Sequence, residues 1–270
     1  MQSTSSIELF CGAGGLALGL QQAGFSHKAL YELNKDCCTN IKANIEQGCP
    51  LVRDWQVFQN DVRNNTYDEY VGKISMISGG PPCQPFSIGG KGQAHNDARD
   101  MFPEAVRAVR EIIPDVFIFE NVRGLLRESF KEYFDYILMQ LKFPSITKQP
   151  EQTWQEHAQQ LKKHCFTSNN AMPEYNVSYK LVNSADYGVP QVRYRVLIVG
   201  WRQDLNIDWQ FPEPTHSKES LLYSKWISGS YWTKHNLPKP KDVPISEKAL
   251  KKVKTLVESK GHNLLPWITT

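Results

Sequence analysis

Short apolar runs alternate with amphipathic stretches through the first two-thirds of the chain. Ile7-Glu8-Leu9-Phe10 predicts a strand that runs into Gly12-Ala13-Gly14-Gly15, with a helix following over residues 16–23. A second strand is predicted over 27–31, a helix over 36–45, and a weak third strand at Val57-Phe58 that ends at Asp61. Residues 74–77 predict a fourth strand before Gly79-Gly80-Pro81-Pro82. Val116-Phe117-Ile118-Phe119 predicts a fifth, whose β-branched and aromatic content suits a buried position. Between these two, Ala105, Val106, Val109, Ile112 and Ile113 recur at helical spacing over 103–113. Phe134, Ile137, Leu138 and Leu141 share one face of a helix over 130–141. Strands alternating with helices predict an α/β fold whose mostly parallel sheet is covered by helices on both faces.

The pattern changes at residues 144–176, where Gln, Pro, Asn and Lys dominate and an insertion or long surface segment is expected. Strand character returns at 179–183 and 196–199, split by Tyr187-Gly188-Val189-Pro190, as in an antiparallel pair on a sheet edge. Beyond Trp201 the chain reads as loop, through Phe211-Pro212-Glu213-Pro214 and Leu237-Pro238-Lys239-Pro240, until a last helix over 247–260 closes at Gly261. The expected division is 1–205 and 206–270.

Composition adds bounds. At 270 residues, 40% hydrophobic and 22% charged, the chain has globular proportions and length enough for a core without staples. No apolar run reaches membrane-spanning length, and the start lacks the plan of a signal peptide, so a soluble, intracellular protein is expected. The six cysteines show no C-x-x-C pair and no zinc spacing, which predicts reduced thiols and no metal site. Residues 201–270 carry 11 Lys and Arg against 7 Asp and Glu. That excess suits a passing polyanion, and a solvated Lys-rich face equally well.

Four patterns carry candidate chemistry. Gly12-Ala13-Gly14-Gly15-Leu16-Ala17 fits G-x-G-x-x-A between a strand and a helix, where the glycines let a ligand approach the backbone. Glu32, twenty residues after Gly12, is placed to accept from ribose hydroxyls. NAD and S-adenosylmethionine both fit such a turn; Asp61, a second carboxylate suited to an adenine amino group, favours the latter. Pro82-Cys83-Gln84 puts a thiol at the carboxyl edge of the sheet, where open α/β folds bind ligands, although most cysteines are simply buried. Glu120-Asn121-Val122 brings a carboxylate to the same edge one strand away; a cap or surface ion pair is the plainer reading. Gln191-x-Arg193-x-Arg195 has period 2, which predicts both guanidinium groups on one face of a strand.

Taken together and in this order, Phe10-x-Gly12-x-Gly14, Pro82-Cys83-Gln84, Glu120-Asn121-Val122 and Gln191-x-Arg193-x-Arg195 closely resemble the cytosine-5 DNA methyltransferase family over roughly residues 7–200. The resemblance implies a Rossmann-like S-adenosylmethionine-dependent methyltransferase fold and DNA (cytosine-5-)-methyltransferase activity on a base flipped out of double-stranded DNA. It makes Cys83 the nucleophile at cytosine C6, Glu120 the group at N3, and Arg195, supported by Arg193, the contact to O2 and nearby phosphate. Around the cofactor it places Phe10, Gly12, Ala13, Gly14, Gly15, Leu16, Leu33 and Pro82, with Glu32 at the ribose and Asp61 and Val62 at the adenine. Gln84, Ser87 and Arg99 fall in a segment that would close over DNA, and S-adenosylhomocysteine would be the product. No metal and no membrane are implied, and the setting is a bacterial cytoplasm in a restriction-modification system.

Two departures stand out. Leu33 occupies a position where an aromatic residue is common, which weakens a stacking contact with the cofactor. The motifs of a target-recognition region are not found after Val199, so a split enzyme is expected, with a second protein subunit supplying recognition, or a fragment of the same extent. A cytosine-5 methyltransferase acting on tRNA shares these motifs. An NAD-dependent oxidoreductase would account only for the glycine turn and Glu32, and a non-catalytic DNA-binding subunit would leave the catalytic set without use.

Overall fold

The computed structural model describes residues 4–82, 100–167, 174–259 and 264–268. The chain divides into two compact units, the first comprising Met1–Lys180 and Val196–Asp208, the second Leu181–Arg195 and Trp209–Thr270.

In the first unit, β1 (Ser5–Leu9), α1 (Gly15–Gln22), β2 (Ser26–Glu32), α2 (Lys35–Glu46) and β3 (Val57–Gln59) follow one another. Next come β4 (Met76–Gly79), α3 (Phe102–Ile112), β5 (Val116–Val122), α4 (Lys131–Lys142) and α5 (Trp154–Thr167), then the parts of β6 (Tyr175–Asn183) up to Lys180 and of β7 (Tyr194–Arg202) from Val196. One seven-stranded sheet has the order β3-β2-β1-β4-β5-β7-β6. The β1–β2, β1–β4, β2–β3 and β4–β5 pairs are parallel. β7 runs the other way: the Arg202 amide, at its end, bonds the Asp115 carbonyl just before β5 begins, and the Gln203 amide bonds the carbonyl of Glu174 before β6.

Alternate strand residues feed two cores, as a pleated sheet covered on both faces requires. Ile7, Leu9, Ala29, Tyr31, Ile77, Phe117 and Phe119 join the cluster made with α3, α4 and α5. Leu30, from the opposite face, packs with Ala17 of α1, Ile41 of α2 and Trp55. The expected insertion at 144–176 is instead partly core: α5 buries Ala158 and Leu161 and sends His157 to the Tyr136 hydroxyl at 2.8 Å. Its Gln- and Lys-rich remainder is a solvated face, which masked the apolar stripe.

In the second unit, β8 (His216–Ser217) pairs in parallel with β9 (Leu265–Pro266), beside α6 (Lys218–Trp226), α7 (Ser230–Lys234) and α8 (Glu247–Ser259). The loop expected beyond Trp201 therefore contains two helices. The Ser217 hydroxyl caps α6 by accepting from the Ser220 amide at 3.0 Å, while aromatic pairs such as Trp226 with Trp232 replace the i, i+4 aliphatic pattern. Gly261 lies outside the described residues. No helix among the described residues is long and apolar enough to cross a membrane.

Candidate functional site

The carboxyl ends of β1, β2, β4 and β5 lie along one edge of the sheet, because these strands are parallel. Leaving β1, the chain turns sharply, with Phe10 at φ 54°, Gly12 at 55° and Gly14 at 85°; the expected strand end at Phe10 is thus already turn. The Cys11 amide bonds the Tyr31 carbonyl at 3.1 Å and the Gly14 amide bonds the Cys11 carbonyl at 2.9 Å. Gly14 is required twice over, by its positive φ and because a Cβ there would stand 2.8 Å from the Trp55 ring. Ala13 and Gly15 are exposed, Leu16 is half-buried, and nothing stands within 4 Å of where a Cβ on Gly12 or Gly15 would be. Burial, with Glu8 and Glu32 nearby, pushes the Cys11 thiol well up. Cys11 is a protonated, packed thiol beneath the turn.

Glu32 braces that turn from the end of β2. Its Oε2 accepts the Gly12 amide at 2.7 Å and its Oε1 the Asn34 amide at 2.8 Å. Each carboxylate oxygen has a second lone pair, so the half-buried group retains acceptors for a diol. Leu33, beside it, is 63% exposed. The third strand ends at Gln59 rather than at the expected Asp61, which two residues later accepts the Arg63 amide at 3.0 Å and the Arg63 Nε at 3.0 Å. Those hydrogen bonds hold its carboxyl below the usual carboxylate range. Val62 is buried, and its carbonyl accepts from the Arg107 guanidinium at 2.7 Å. Glu104 at 2.7 Å and Glu111 at 3.0 Å hold Arg107 in place. Arg107 was not among the expected residues; a cation inside the apolar helix pattern of α3 was the available signal.

At the ends of β1 and β4 the backbones come very close. A Cβ on Gly79 would lie 2.5 Å from the Leu9 carbonyl oxygen. One on Gly80 would lie 3.8 Å from Glu120 Oε2 and 3.9 Å from the Phe10 carbonyl oxygen. The exits of β1, β4 and β5 therefore converge on the half-buried Glu120. Asn121, buried, donates from Nδ2 to the Pro81 carbonyl at 3.1 Å. It thereby pins the backbone just before the exposed Pro82. In the sequence Asn121 stands out only as part of a motif, with nothing local to signal this contact. Cys83, Gln84, Ser87 and Arg99 lie outside the described residues. After them, Asp100 accepts from the Tyr133 hydroxyl and from the Phe102 amide.

Arg193 and Arg195 belong to the second unit. The expectation that a strand displays both on one face is corrected: β7 begins at Tyr194, so Arg193 precedes it. The Gln191 amide closes a tight turn onto the Val189 carbonyl at 2.8 Å, which Pro190 between them favours. Arg193 is exposed, with its amide bonded to Asn183 Oδ1 at 3.1 Å and its carbonyl accepting the Ser184 amide at 3.0 Å. Arg195 is half-buried and donates from Nη1 to the Tyr194 carbonyl at 2.8 Å.

The residues of the first unit fit S-adenosylmethionine. The turn has open space above Gly12, and Glu32 has spare acceptors for ribose hydroxyls. Among the described residues, no group of three or more His, Cys, Asp and Glu side chains is placed to hold a metal ion.

The chain is similar to known proteins in sequence and in fold. The model of the C-5 cytosine-specific DNA methylase family matches residues 4–144 and 152–265. The type II methyltransferase M.NgoMIV of Neisseria gonorrhoeae is 35% identical over 240 residues, 87% of this chain. The type II methyltransferase M.AquIA of Picosynechococcus is 34% identical over 218 residues, 78% of this chain. The chain spans 65% of the length of the first relative and 76% of the second. In fold, it is similar to the crystal structure of a prophage-encoded E. coli protein described as a DNA modification methyltransferase. That likeness has a TM-score of 0.53 at 24% identity and covers 82% of this chain and 55% of the other.

Proposed function

The chain belongs to the C-5 cytosine-specific DNA methylase family, and on that premise we propose that it carries the catalytic core of a DNA (cytosine-5) methyltransferase. The observation that carries this reading is the convergence of the glycine turn, Gly80 and Glu120 at one sheet edge, with Asn121 gripping the backbone two residues before Cys83. In this reading residues 1–205 hold the catalytic and cofactor machinery, and 206–270 lead toward target recognition.

S-adenosylmethionine, when bound over the turn, supplies an electrophilic methyl group. Glu32 would accept from the ribose hydroxyls while still bracing the Gly12 amide, and Asp61 and Val62 would border the adenine. Phe10, Ala13, Gly14, Gly15, Leu16, Leu33 and Pro82 would line the remaining contacts. The Cys83 thiolate adds to C6 of a cytosine flipped out of the duplex, and the electron pair of the 5,6 double bond moves toward C5. C5 would then take the methyl group as its bond to the sulfonium breaks, with the electron pair returning to sulfur and S-adenosylhomocysteine left as product. A base then removes the C5 proton as the sulfur–C6 bond breaks, which restores the double bond and frees the thiolate. Glu120 would hold N3 and stabilise the charge that develops on the ring during addition. Arg195 and Arg193 would hold O2 and an adjacent phosphate, and Gln84, Ser87 and Arg99 would contact DNA.

A duplex carrying 5-fluorocytosine tests the covalent step, because fluorine cannot leave as a proton does. With cofactor present, the wild type should trap a covalent adduct and Cys83→Ser should not; an undiminished adduct in the variant removes Cys83 from the mechanism. Labelled methyl transfer to tRNA rather than duplex DNA would reassign the substrate. Calorimetric binding of NADH in place of S-adenosylhomocysteine would reassign the cofactor. A second polypeptide carrying target recognition remains part of the proposal. It is tested by adding candidate partner chains: a defined target methylated at full rate by this chain alone would remove it.

A further inference from the structure

One group buried beneath the glycine turn takes no part in the mechanism above. Glu8 lies mid-strand in β1, pointing away from Ile7 and Leu9, and is 1% exposed. Its Oε2 accepts from the Ser78 hydroxyl of β4 at 2.8 Å, and its carboxyl also accepts the Ala17 amide of α1. The Ala17 carbonyl accepts from His27 Nε2 at 2.8 Å, and His27 Nδ1 meets the Ser6 hydroxyl at 2.9 Å. A single residue of the first helical turn, Ala17, is thus held at both its amide and its carbonyl from inside the core. This matters because α1 lacks the usual device. Its N-cap is Gly14, with no side chain to satisfy the first amides.

We propose that Glu8 is a positioning residue for the cofactor turn: it caps α1 from within and, through Ser78, ties that helix to the strand leading to Cys83. The inference rests on the cofactor reading given above. An acid suits the task, since a carboxylate beneath a helix N-terminus meets the positive end of the helix dipole and accepts both donors at once. Ser78 lies two residues before Gly80, so the same carboxyl links the cofactor side of the edge to the convergence at Glu120.

Keeping a carboxyl there is costly. Burial pushes it up to about 7, against the opposing pull of the Ser78 and Ala17 hydrogen bonds. The ionisable groups around it are Cys11 in the turn, which feels its charge, His27 from β2, and, farther out, Glu32 and Cys38. Neither α1 nor β4 contributes an ionisable side chain. Burial lowers His27, so it stays neutral and donates to Ala17 from Nε2. Cys11 is pushed up and remains a thiol. Near neutral pH, Glu8 is therefore the member of the cluster that titrates. Once protonated, it spends one oxygen as a donor and the link between α1 and β4 weakens.

The test is calorimetric titration of S-adenosylhomocysteine into the full chain from about pH 6 to pH 8.5, with ligand-free unfolding temperatures over the same range. The wild type, Glu8→Gln and Ser78→Ala are compared. Wild-type affinity should rise at least about threefold with a midpoint near 7. Glu8→Gln should be flat, and Ser78→Ala should move the midpoint to higher pH, since the hydroxyl favours the ionised form. Equal slopes in wild type and Glu8→Gln, or an unmoved midpoint in Ser78→Ala, overturn the proposal. If the wild type does not bind the probe, the cofactor reading falls and the ligand-free profiles decide alone. The wild-type unfolding temperature must then change with pH where that of Glu8→Gln does not, and matching profiles overturn the internal cap.

Discussion

In the first unit Ile7, Leu9, Ile77, Phe117 and Phe119 are fully buried in a sheet covered on both faces, and the two apolar clusters lie wholly within that unit. In the second, Ala185 and Leu221 are the buried apolar side chains among the described residues. That unit relies instead on caps, ring pairs and single hydrogen bonds, such as Trp267 Nε1 to Asp186 at 2.9 Å and the Tyr223 hydroxyl to Glu258 at 3.3 Å. Such bonds contribute about 1 kcal/mol each, and less where solvent competes, whereas a large buried side chain contributes about 1.5–3 kcal/mol through apolar burial. The difference teaches where precision is kept. The edge that gathers the glycine turn, Gly80 and Glu120 is set by a dry core, while the region bearing Arg193 is held by a few polar contacts near the surface.

The comparison can be broken by substitution. Phe117→Ala should cost the most, about 3–5 kcal/mol. The ring stacks on Phe119 at 5.3 Å and fills the space where Gly200 leaves no room for a Cβ. Denaturant unfolding measures this, and a loss near 1 kcal/mol would mean that the sheet is less tightly packed than described.

Glu8→Gln should come next, and its effect depends on pH. The folded-state carboxyl titrates at about 7 against an ordinary 4.5, so folding takes up a proton between these values. The stability Glu8 contributes is fully present below about 4.5 and lost as pH rises through about 7. Relative to wild type, Glu8→Gln should therefore gain stability from pH 5 to pH 8, by at most about 3 kcal/mol. A constant difference across that range would show that the carboxyl titrates normally.

In the second unit Leu221→Ala should cost about 2 kcal/mol, at the low end for a buried leucine, because its surroundings can collapse. The loss should appear in a transition reported by Trp226 and Trp232 fluorescence, with amide exchange in β1 and β4 unchanged. Tyr223→Phe, at the bottom of the scale, should change stability by less than about 0.5 kcal/mol, since its bond to Glu258 is exposed. A large loss there would mean that the second unit is more cooperative than its burial suggests.

Much of the first unit was legible because its signals are local. The run Phe117-Ile118-Phe119 reads as a buried strand wherever it stands, and the glycines at 12 and 14 announce a turn that other residues resist. Helices α6 and α7 were not legible, since their order comes from Trp226, Trp232 and Tyr231 meeting across a bend rather than from any period along one face. Helix α5 was obscured by the polar face around its buried Ala158 and Leu161. The arginine pair misled for a related reason: a period of 2 describes one face only where the backbone is extended, and the turn at 189–191 interrupts it. At the site, Glu32 and Glu120 could be named from their places at strand ends, whereas Asn121 and Arg107 gain meaning only from what they grip.

By itself the sequence determined the alternation of strands and helices, the glycine turn and the family to which the motifs belong. The first two follow from residue type and short-range spacing, the third from the resemblance of motifs spread over residues 7–200. Tertiary structure alone decided that Asn121 holds the Pro81 carbonyl, that Arg107 secures the turn after β3, and that Glu8 and Ser78, seventy residues apart, share a hydrogen bond under α1. Pairing of that kind depends on strand register. Register is fixed only when the apolar faces of the whole sheet are buried together.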